Sequence, residues 1–173
     1  MIPSIELRLD SMTRALQQVI IPAIDPGNSL ALEQAALMLG HIGLIVDQIS
    51  VKEAFAALCL DDIASVVADL DPQGGAAVAA VMRQINEQEK APGETAEAAY
   101  ARLSGLIEQL IRAADIDGTQ SFRADLHKAV LHFSKRQARR DRIWFAKSGF
   151  DPDNGELPTI RSLLATREVG GGS

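Results

Sequence analysis

Roughly every 20–25 residues between Ser4 and Gly149 the chain meets a polar helix cap, a proline or a glycine-containing break. The stretches between these breaks are long enough for a helix and too long for a typical strand. They are also built from helix formers. Of 173 residues, 26 are Ala and 19 are Leu, against seven aromatics, so propensity and punctuation point the same way. The expected fold class is all-α: an antiparallel up-down helical bundle of about six helices with a short C-terminal extension. The length suits one domain over 1–169, with 170–173 as a flexible tail or linker.

Six helices are expected. The first starts after Ser4, carries Ile5, Leu9, Met12, Leu16, Val19 and Ile20 at three- and four-residue spacing, and ends before Pro22. The second begins at Asn28 or Ser29 and runs to about Gln48. Its apolar residues surround the axis, as in a central buried helix, and Gln34, His41 and Gln48 repeat along one side at seven-residue intervals. Gly40 and Gly43 within it suggest close approach of another backbone or of a ligand. Ser50 and Glu53 form a capping-box pattern for the third helix, which Asp61-Asp62 divides in two. Asp71-Pro72 is expected to start the fourth helix, which fades at Gln88 to Lys90. After Ala91-Pro92-Gly93 the fifth covers about Thr95 to Ala114, with Tyr100, Leu103, Ile107, Leu110 and Ile111 inward. The sixth runs from about Gln120 to Lys147 and stops at Gly149, and Pro158 to Ala165 forms a short last helix.

Composition narrows the function classes. A single Cys59 leaves no intrachain disulfide framework or cysteine zinc site and suits a reducing, cytoplasmic setting. Met1 to Asp10 carries Glu6, Arg8 and Asp10 without the order of a secretory signal. The longest uncharged apolar stretch, Gln34 to Val46, falls short of the ~20 residues of a spanning helix, so no membrane role is expected. A net charge of −6 argues against whole-surface nucleic-acid binding.

Within that acidic chain, Lys135, Arg136, Arg139, Arg140, Arg142 and Lys147 oppose only Asp141. The segment carries +5 and leaves −11 for the rest. Such a cluster either pairs with the protein's own carboxylates or binds phosphate or carboxylate from outside. The core-facing series Phe122, Leu126, Val130 and Phe133 continues at helical spacing into Gln137, Arg140 and Trp144. Arg140 therefore needs a carboxylate such as Asp47 or Glu33, or a wet or anion-filled cavity. Trp144 and Phe145 could cover an apolar part of a ligand.

Catalytic and metal motifs are missing. His127 and His132 lack the spacing of a helical zinc pair, no Glu-x-x-His motif occurs, and the acidic stretches Asp115 to Gly118 and Asp151 to Gly155 read as turns. Gly74-Gly75 lacks the lysine and hydroxyl of a phosphate loop, and no cofactor or metal is expected. The leading expectation is a cytoplasmic helical accessory or binding protein that forms a homodimer. It would hold an anionic amphipathic ligand or acidic protein partner near Arg136, Arg139, Arg140 and Trp144. The alternative is an enzyme with His41 as acid or base between Gln34 and Gln48, and a DNA-binding regulator is the least favoured.

Overall fold

The computed structural model describes residues 4–87, 93–148 and 151–170, without the side chains of 154 and 167–170. Among the described residues the protein is all-α, with one isolated bridge between Gly74 and Gly118 and no strand. Its helices are α1 (Ile5–Ala15), α2 (Ser29–Gln48), α3 (Lys52–Ala68), α4 (Ala76–Asn86), α5 (Ala96–Asp117), α6 (Gln120–Trp144) and α7 (Ile160–Gly170). They group into two compact units, 1–52 with 141–173, and 53–140. The expected end of α4 at Gln88 to Lys90, the stop at Gly149 and the tail 171–173 lie outside the described residues.

In the first unit, the Ser4 hydroxyl accepts from the Leu7 amide at 3.2 Å and opens α1. The helix does not stop before Pro22, as expected. It widens into a π-turn over Leu16–Ile20 and regains α-helix for Ile21–Ala23. The reason is steric: the proline ring would strike the carbonyl four residues back, and the wider turn relieves that contact. Asn28 caps α2 through its side-chain oxygen and the Ala31 amide. Leu9 of α1 and Leu16 of the π-turn pack with Ile42 and Leu39 of α2. That small cluster leaves much of α2 uncovered, so it is not the fully buried helix its composition suggests: Leu30, Met38, Ile45 and Val46 are exposed. By length and composition α2 could cross a membrane, although the helix carries Glu33 and Asp47. Thr159 caps α7, whose Arg161 donates to the Ser50 hydroxyl at 3.1 Å. α3 begins at Lys52, so Val51 and not Ser50 is the residue before its first turn, and the expected capping box of Ser50 with Glu53 is out of register.

The second unit holds the larger core. Val78 and Met82 of α4, Leu110, Ala113 and Ala114 of α5, and Phe122 and Leu126 of α6 form one buried cluster. Ile63 and Val66 of α3 with Leu103 and Ile107 of α5 form another. The periodic apolar positions of α5 and α6 thus become core, as their spacing implies. Two boundaries differ from expectation. α3 is continuous through Asp61-Asp62, and α4 begins at Ala76 instead of Pro72, with Asp71 accepting from the Gln73 side chain. The true N-cap of α4 is Gly75, which has no side chain to offer. Asp117, at the end of α5, supplies the carboxylate: it accepts from the Ala77 amide at 2.7 Å and the Val78 amide at 3.1 Å. α5 runs through the supposed turn Asp115 to Asp117 for the same reason. The Gly75 amide donates to the Asp117 carbonyl, and Thr119 donates to Gln73, tying the two segments together.

Candidate functional site

The basic segment of α6 is largely satisfied from within. In the second unit one carboxylate serves two guanidinium groups. Asp62 Oδ1 accepts from Arg136 Nη2 at 2.8 Å and Nε at 3.0 Å, while Oδ2 accepts from Arg140 Nη2 at 2.6 Å. Arg140 Nη1 also donates to Gln137 Oε1 at 3.1 Å. Arg140 is the one buried charged side chain among the described residues, and its position on the Phe122 face explains why it must be paired. The partner is Asp62, not Asp47 or Glu33. Burial by itself pushes the Asp62 carboxyl up, but hydrogen bonds from Arg136 and Arg140 and their charges outweigh it and hold the group below its ordinary value.

The signal for Asp62 was present in the sequence as an acidic interruption of the apolar α3. It reads as a helix break only when the matching arginines 74 and 78 residues later are left out of account.

In the first unit the remaining cations are also taken. Arg142 forms a two-pronged contact with Asp151 at 2.6 and 3.0 Å, and Lys147 meets Asp47 at 2.6 Å. The Arg142 hydrogen bonds, with an amide donated by Asp153, hold the Asp151 carboxyl below its ordinary value. Of the predicted ligand-binding residues, Gln48 and Trp144 are brought together, with Gln48 Nε2 donating to the Trp144 carbonyl at 2.9 Å. Gln34 and His41 are exposed, and Phe145 is exposed as well. His41 lines a cavity of about 210 Å³ with Glu33, Leu37, Gly40, Leu44 and Ser148. A methyl group added at Gly40 or Gly43 would meet nothing within 4 Å, so the close backbone approach expected there does not occur among the described residues.

Arg139 stands apart from these pairs. It is exposed, like Lys128, His132 and Lys135, and the four fall at spacings of four, three and four residues along one side of α6. None of the four forms an ion pair or hydrogen bond with a side chain among the described residues. Beside this row, a groove of about 390 Å³ runs between the α3 end and α6, with Ser65 and Asp69 on one wall and Asp125, Lys128, His132 and Arg136 on the other. Lys135 and Arg139 belong to the basic cluster read from the sequence; counting the spacing of cations along α6, as well as their density, would have added Lys128.

Compared with family models, curated proteins and solved structures, the chain shows no match.

Proposed function

We propose that the protein is a helical accessory protein that holds an acidic segment of a partner protein along the cationic row of α6. The observation that carries this reading is the exposed row Lys128, His132, Lys135 and Arg139, which has no internal carboxylate while neighbouring Arg136 and Arg140 share one. Unpaired cations in register on a rigid helix offer charge-assisted contacts without the cost of breaking an existing pair. Arg136, at the groove edge, stays on Asp62 and is not part of the row. Arg140 acts by pinning α6 to α3 through Asp62. A reducing, cytoplasmic setting suits the buried Cys59, and we propose an up-down arrangement for the helices, favoured by their short connections.

The test is fluorescence anisotropy with a labelled deca-glutamate peptide. Lys135→Glu with Arg139→Glu should weaken binding at least tenfold, and added salt should weaken the parent protein similarly. Binding unaffected by both, or tighter binding to a DNA duplex than to the peptide, overturns the reading.

The His41 cavity favours a second reading, an acid-base enzyme site using His41 beside Glu33 and Ser148. Its test is native mass spectrometry of the gently purified protein. A small-molecule adduct present in the parent and lost in His41→Gln supports it, and an adduct-free parent ends it.

A further inference from the structure

The first unit carries an apolar face that its own helices do not cover. On α1 and the π-turn that continues it, Ile5, Leu9, Met12, Leu16 and Val19 follow alternating four- and three-residue steps in sequence. Leu9 and Leu16 are closed against α2, while Ile5, Met12 and Val19 are open. On α2 the same steps link Gln34, Met38, His41, Ile45 and Gln48. Gln34, Met38, His41 and Ile45 are exposed, and Leu30 extends the row by one turn.

Viewed from each helix's own N-terminus, the open row lies anticlockwise of the closed one on both α1 and α2. The short connection between the helices, Ile24 to Asn28, and their shared cluster favour an antiparallel pair. In two antiparallel helices an offset of the same sense puts both open rows on the same side. The hairpin therefore presents one two-helix face, the geometry of half a four-helix bundle.

We propose that this face is the interface with a second copy of the chain, closing a two-fold four-helix bundle from the two α1–α2 hairpins. Its size fits. The six open apolar residues are between 45% and 66% exposed. Together they offer on the order of 500 Å² of apolar surface, at the upper end of patches left on monomers. A standard interface buries about 800 Å² per partner, a little over half of it apolar, which this face matches. Its chemistry fits a protein partner better than lipid. Gln34 and His41 recur at the heptad interval within the seam, where polar side chains set register and oligomer state, whereas a lipid-facing row would not retain them. An isologous contact also needs only one surface, used twice.

Sedimentation velocity with the full chain tests the proposal. The parent should sediment at twice 18.5 kDa. Met38→Lys with Ile45→Lys should halve the mass at unchanged helical circular dichroism, and Met12→Glu on the other helix should do the same. Leu7→Lys, exposed on the opposite side of α1, should leave the dimer intact. Should the double lysine variant lose helicity, Met12→Glu carries the test alone. A monomeric parent, a dimer that survives all three face substitutions, dissociation by Leu7→Lys, or partition of the parent onto phosphatidylcholine vesicles overturns it.

Discussion

Asp117 shows how one side chain can settle where a distant helix begins. Its carboxylate occupies the place that an N-cap serine or aspartate of α4 would fill, and Gly75 is required because anything larger would intrude. A Cβ at Gly75 would sit 2.6 Å from Asp117 Oδ2, and one at Gly118 would sit 2.7 Å from the Ala114 carbonyl oxygen. Asp117→Ala should cost about 1–2 kcal/mol, as loss of an N-cap does. Gly75→Ala should be destabilising although alanine is the better helix former, because it displaces the same carboxylate. The double variant should cost clearly less than the two single costs combined, since both remove one interaction. Urea unfolding of the four proteins checks this, and additive costs would mean that Gly75 and Asp117 act separately.

Among the elements, α2 departs furthest from its sequence pattern. Apolar residues on every side suggest a helix enclosed by others, yet α1 and the segment 144–148 contact it while the Met38 and Ile45 row stays open. Gly40 and Gly43 have space around them as well. Gly43→Ala and Gly40→Ala should therefore each raise stability by about 1 kcal/mol, the helix-propensity difference, with no steric penalty to offset it. A fall in the urea midpoint would mean that the glycines admit something close in solution. Existence and approximate limits of α1, α2, α5 and α6 were legible because caps and apolar period agree there. The start of α4 was not, because Asp71-Pro72 is a good local signal that loses to Asp117, forty residues away from Ala77. The passage of α1 through Pro22 was equally hidden, since it depends on a π-turn that no residue type announces.

For the molecule as a whole, the polarised charge is mostly resolved by internal pairing, and the Asp62 cluster makes stability depend on acid. Its folded carboxyl lies below its unfolded value, so its contribution is fully present above pH of about 4 and is lost as pH falls through the lower folded value. Denaturant midpoints measured from neutral to acid pH should fall less steeply in Asp62→Asn than in the parent. At pH 7 that variant should be less stable by about 3 kcal/mol, because Arg140 is left buried and uncompensated. Arg140→Ala should cost a similar amount, while exposed Arg139→Ala should stay within about 0.5 kcal/mol of the parent. Equal costs for Arg139 and Arg140 would refute the pinning role. The sequence by itself determined the helical class, most helix positions and the need for Arg140 to be paired, because propensity, capping and periodicity are local properties. Only the tertiary structure decided that Asp62 is the partner, that Asp117 caps α4, and which side of α2 stays open. Those outcomes depend on which helix faces meet, and contacts between residues far apart in the chain leave no periodic trace in either segment.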